Sequence, residues 1–184
     1  MDIRTFFSLF MLMVFCGTSA QESTFYARSN RSIPLDFSES NRQCVSFTER
    51  DIVYNKIIRF EENKIQIQQD GLYEINAFVN INLGSYATRH DSLQLRFSVI
   101  KNPNTSSEEK LAETTYMYRF GNFDVAAGFQ IRPFHVTLRR EDEICLCITK
   151  DFGTFDINSN DKYHHIITPT GMPQIMGLRI KKED

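Results

Sequence analysis

Residues 68–84 read QQDGLYEINAFVNINLG, and their alternation restricts the fold more than any other stretch of the chain. Tyr73, Ile75, Ala77, Val79, Ile81 and Leu83 occupy every second position, the period of a strand with one apolar face. The other face carries Glu74, Asn76, Asn80 and Asn82, as a solvated face should, but it also carries Phe78. A large ring in the middle of a polar face needs something to pack against. Just upstream, residues 64–68 alternate too and run into Asp70-Gly71. Asp-Gly between two alternating runs predicts a hairpin there.

The same period recurs along the chain. Leu93, Leu95, Phe97 and Val99 alternate with Gln94, Arg96 and Ser98, ahead of a turn-rich NPNTSSEEK segment. Tyr116, Tyr118 and Phe120 share a face in the next run. Phe134, Val136 and Leu138 alternate with His135 and Thr137, and Pro133 marks a start, bend or edge in that strand. Ile144, Leu146 and Ile148 alternate with Cys145 and Cys147. Met176, Leu178 and Ile180 do so near the C-terminus, while Val45, Phe47 and residues 52–60 supply earlier strands. No amphipathic helix, internal repeat, collagen tract or heptad run interrupts the series. About ten short strands in one chain predict an all-β fold, a two-sheet antiparallel sandwich or a barrel. The one long connection, 151–171, has the length of a functional or flexible loop.

The N-terminus reads as a secretory signal. Arg4 precedes an apolar run over residues 6–16, and Thr18 and Ala20 supply the small residues before a cut after Ala20. A spanning helix needs about 20 apolar residues, and Gly17, Thr18 and Ser19 stop this run short. Residues 1–20 are therefore expected to be cleaved, leaving 21–184 as a single exported domain without a membrane span. Asp2 and Arg4 leave together, so the formal net charge stays at −2. That balance gives no basic surface for nucleic acid or an anionic membrane.

Four cysteines are present. Cys16 leaves with the signal, and Cys44, Cys145 and Cys147 enter an oxidising compartment. Cys145 and Cys147 share a strand face, and a bridge from i to i+2 along one extended strand is geometrically poor. Cys44 is expected to pair with one of the two, leaving one thiol over. Three buried free thiols are the alternative.

At this point the chain resembles a known group. FEENKIQIQQDGLYEINAFVNI, residues 60–81, is similar to the central hairpin of the tumour necrosis factor and complement globular-head superfamily, with Gly71, Leu72 and Tyr73 matching its Gly-hydrophobic-Tyr step. HVTLRREDEICLCI, residues 135–148, and PQIMGLRI, residues 173–180, resemble two later strand segments of the group in the right order. One departure stands at Glu141-Asp142, where the group usually has Gly-Asp. The resemblance implies a jelly roll that assembles as a homotrimer and binds an extracellular receptor or glycan. It also implies that the face carrying Glu74, Asn76 and Phe78 meets neighbouring subunits. The alternative cover for Phe78 is its own chain. A soluble trimeric ligand is the leading functional reading, ahead of a complement-like pattern-recognition lectin.

Motifs for chemistry are sparse. No G-x-S-x-G, H-E-x-x-H, paired C-x-x-C or Gly-rich phosphate loop occurs, so neither an enzyme nor a cofactor is expected. A secreted β-sandwich hydrolase using the 151–171 loop is the alternative of another class. His164 and His165, near Asp161, point to opposite sides of an extended chain and read as loop histidines rather than metal ligands. His90-Asp91 and His135 have no partner that sequence places beside them. Glu141, Asp142 and Glu143 read as a solvated turn, with calcium the alternative, and no metal is expected. Asn30-Arg31-Ser32 and Asn104-Thr105-Ser106 are N-glycosylation sequons in turn-like surroundings.

Overall fold

A computed structural model describes residues 23–31, 33–35, 37, 39–82, 92–119, 126–152, 166–167 and 176–183. Residues 1–22 (the expected export signal among them), Leu83, His90, Asp91, Phe120, Asp161, His164, His165 and most of the 151–171 connection lie outside these residues.

Thirteen strands appear among the described residues: β1 (Thr24–Ser29), β2 (Ile33–Pro34), β3 (Arg42–Val45), β4 (Ile52–Asn55), β5 (Ile58–Glu61), β6 (Lys64–Ile67), β7 (Gly71–Asn82), β8 (Ser92–Lys101), β9 (Glu109–Arg119), β10 (Ala126–Leu138), β11 (Glu143–Phe152), β12 (Ile166–Ile167) and β13 (Met176–Lys182). They form two antiparallel sheets in a jelly-roll sandwich. The first runs β2-β12-β7-β13-β1-β4, with β10 also on β7; the second runs β5-β6-β11-β8-β9, with β3 also on β11. The expected fold class is therefore the observed one.

The alternations set the core. Tyr73, Ile75, Ala77, Val79 and Ile81 face inward beside Phe25, Ala27, Leu178 and Ile180. Leu95, Phe97, Val99, Ile144, Leu146 and Ile148 meet them from the second sheet. Phe129 on β10 bridges the layers, edge-on to Phe97 at 6.2 Å and to Tyr116 at 5.7 Å between ring centres. Fully burying each such side chain stabilises the fold by about 1.5–3 kcal/mol.

The expected hairpin at Asp70-Gly71 is not there. Strand β6 pairs with β5 and β11, whereas β7 pairs with β10 and β13, so Asp70-Gly71 is where the chain crosses between sheets. Asp70 Oδ1 accepts the Arg140 N–H at 2.6 Å, tying the crossing to the β10–β11 turn. A Cβ on Gly71 would stand 2.8 Å from Lys182 Cε, so the end of that lysine side chain would have to shift. The tight hairpin is one step earlier. Glu62 and Asn63, at φ 50° and 62°, join β5 to β6 in the two-residue turn whose central residues both take positive φ.

The Glu141 departure is absorbed in a similar way. Glu141 takes φ 74°, the left-handed conformation that glycine adopts most easily. Asp142 Oδ2 accepts the Arg139 N–H at 2.8 Å and Asp142 Oδ1 accepts Asn102 Nδ2 at 3.0 Å. Glu143 lies 3.6 Å from Lys64 Nζ. The acidic run is a hydrogen-bonded turn in which the Asp142 and Glu143 carboxylates serve separate partners.

Asp51 closes the short 3-10 turn Glu49–Asp51 and is 6% exposed. Its Oδ2 accepts Arg31 Nη2 at 2.9 Å, the Thr48 N–H at 2.7 Å and Thr48 Oγ1 at 2.8 Å. Burial alone would raise its pKa, but the Thr48 N–H, Arg31 and the Thr48 and Ser29 hydroxyls outweigh it and hold the carboxyl below its ordinary 3.8. A depressed carboxyl contributes stability that is complete above its unfolded pKa and is lost as pH falls through the folded value. Asp51→Ala should therefore cost roughly 2–3 kcal/mol at neutral pH, the scale of hydrogen bonds to a charged group. The difference from wild type should shrink below about pH 4. Denaturant melts at neutral and acid pH check both.

Candidate subunit-contact face

The outward side of β7 carries Leu72, Glu74, Asn76, Phe78 and Asn80, the reverse of the buried set. Because β7 is flanked by β10 and β13, its neighbours on this face are fixed by register. Three rows cross the sheet. Gln130, Phe78, Gly177 and Arg28 form the first. Asn76, Arg179, Tyr26 and Tyr54 form the second. His135, Glu74, Lys181 and Thr24 form the third.

Phe78 sits over the gap left by Gly177. A Cβ on that glycine would be 2.2 Å from Phe78 Cε1 and 2.7 Å from Cζ, closer than real atoms approach. The ring thus lies on the bare backbone of the adjacent strand and is still partly exposed on its far side. Glu74 Oε1 is 3.5 Å from Arg179 Nη1, and Asn76 stands opposite the same arginine. The structure brings Glu74, Asn76 and Phe78 onto one face, as their spacing requires.

Sequence reading missed Tyr26 and Tyr54. Phe25 and Ala27 are buried, so Tyr26 between them points outward; Tyr54 is its cross-strand partner. Both are partly buried, and with Phe78 they give this face three aromatic rings. The signal for Tyr26 was present as alternation in TFYARS, but its join to Phe78 depends on the placement of β13 between the two strands.

The second sheet holds the cysteines. Cys44 on β3 stands directly opposite Cys147 on β11 and is bridged to it across 103 residues of sequence. Of the two expected partners, register selects Cys147. Cys145, two residues along, stays a thiol 3.8 Å from Cys147 Sγ, and burial, with the charge of Glu143, pushes it up to about 12. The thiolate is the reactive form, so this position is chemically quiet. Both sequon asparagines are exposed. Asn104 takes φ 61°, and its Oδ1 accepts Arg42 Nη2 at 2.9 Å. Asn30 follows β1, and Ser32 of its sequon lies outside the described residues.

No family model matches the chain, and no curated protein matches it. Among solved structures, the crystal structure of murine APRIL is similar, with a TM-score of 0.56 over 88% of this chain and 98% of that one, at 10% sequence identity. Identity at that level speaks for architecture. With the two-sheet order and the register of β7, it shows that the chain folds as a tumour-necrosis-factor-like jelly roll.

Proposed function

We propose that the chain is a secreted, non-enzymatic ligand of the tumour-necrosis-factor-like type. Residues 1–20 act as its export signal, and it forms a homotrimer through the outward face of the β7 sheet to engage an extracellular protein receptor. The observation that carries this reading is Phe78. It is a ring seated on Gly177 with one side still open, in a face that also presents Tyr26 and Tyr54. Aromatic residues are enriched in the buried centres of protein interfaces, and polar and charged groups such as Asn76, Arg28 and Gln130 suit the rim. Among the described residues no helix is long and apolar enough to cross a membrane.

Gly177→Ala tests the arrangement without adding a charge. The new methyl group has no room beneath Phe78, so the ring must turn away from its seat. Sedimentation velocity should show the trimer shifting toward smaller species, while the far-ultraviolet spectrum stays that of the wild type. Undiminished association in a folded Gly177→Ala protein would count against Phe78 as the contact.

A further inference from the structure

His135 had no visible partner in the sequence, and the fold supplies two. It stands on β10 directly across from Glu74 on β7. Glu183 follows β13, and its N–H donates to the Leu72 carbonyl at 2.9 Å, which carries the pairing one residue past the strand end. One ligand atom from each of Glu74, His135 and Glu183 lies within 4.8 Å of the other two.

A bulge makes this meeting happen. Ile131 pairs with Ala77 and Phe134 with Ile75, so three steps along β10 match two along β7. Without the extra residue Phe134 would stand opposite Glu74, and His135 would point into the sandwich opposite Tyr73. The slip turns Phe134 toward the core and His135 outward. Bulges re-aim side chains in this way, and Pro133 within the slip has no N–H to lose from the ladder.

The cluster gathers two carboxylates and an imidazole at one place on the sheet. Two carboxylates are held close together, with side chains only 23% and 28% exposed for Glu74 and Glu183. Each has a cation at its edge: Arg179 Nη1 is 3.5 Å from Glu74 Oε1, and Lys181 Nζ is 3.2 Å from Glu183 Oε1. Lys181 Nζ also reaches Glu183 Oε2 at 3.4 Å and its residue stands opposite Glu74, so a bound metal would displace this ammonium group. The imidazole then decides the class of ion. Calcium and magnesium prefer all-oxygen sets, whereas one ring nitrogen with two carboxylate oxygens suits zinc and its neighbours.

We propose that Glu74, His135 and Glu183 form a three-ligand site for a divalent transition metal of the zinc class, with at least one coordination position open to water or an incoming donor. All three ligands come from one chain, so the site does not require the trimer.

Equilibrium dialysis of the full secreted protein against zinc at micromolar concentration tests this directly. Wild type and Cys145→Ser should each retain one zinc per chain; His135→Ala and Glu183→Gln should each lose it. Melting in the presence of a chelator serves as the folding control. The His135 side chain is exposed and Glu183 lies beyond the last strand, so both variants should melt like wild type there, and zinc should raise the melting temperature only of proteins that retain it. No zinc retained by wild type, or undiminished zinc in folded His135→Ala or Glu183→Gln, overturns the site. Loss of zinc in Cys145→Ser alone would assign the metal to the thiol and overturn it equally.

Discussion

Ile75→Asp should yield no folded monomer. Ile75 is fully buried at the middle of β7, between Phe134 on β10 and Ile180 on β13. The substitution forfeits about 1.5–3 kcal/mol of apolar burial. It also places a carboxyl where no donor waits, a cost of several kcal/mol even if the group takes up a proton. A domain of this size is stable by only about 5–15 kcal/mol, so the sum removes most or all of the margin. Val79→Asp, between Phe129 and Met176, should behave alike. Ile75→Val is the control and should cost only about 0.5–1.5 kcal/mol. Soluble yield and circular dichroism separate the three; a folded Ile75→Asp protein would mean that β7 does not turn this face inward.

Phe78→Asp, three residues away, should do the opposite, sparing the monomer and dissociating the assembly. Its ring rests on Gly177 and is partly solvated, so an Asp there keeps its charge in water. Losing the ring's partial burial should cost the monomer only about 1 kcal/mol. In the proposed trimer the same change acts once per subunit, and truncating a central aromatic anchor typically costs 2 kcal/mol or more. Three carboxylates brought to neighbouring contacts would add repulsion. Size-exclusion chromatography should show a late-eluting, folded species. A Phe78→Asp protein that fails to fold would make the ring part of its own chain's packing, with Gly177 as its whole purpose.

The pattern of what could be read from sequence follows from the range of each signal. Alternation is local, so the inward set of β7, β8, β11 and β13 was legible residue by residue. That Pro133 marks a start, bend or edge was legible too, because the missing N–H is a property of one residue; that it takes the form of a register slip was not. Asp70-Gly71 misled because the turn signal says nothing about which sheet the next strand joins. Here Asp70 is occupied by the Arg140 N–H, and the chain crosses over. The real two-residue turn uses Glu62-Asn63 without a glycine, a choice that the surrounding strands impose. Register is the long-range quantity that the sequence hides. It selects Cys147 over Cys145 for Cys44, joins Tyr26 and Tyr54 to the Phe78 face, and sets His135 against Glu74.

The central claim is that the outward face of the β7 sheet is built for contact between copies of the chain. Light scattering coupled to size-exclusion chromatography of the wild-type protein at micromolar concentration tests it most directly. A mass of three chains, constant across the peak, is the predicted result; a mass of one chain would contradict it.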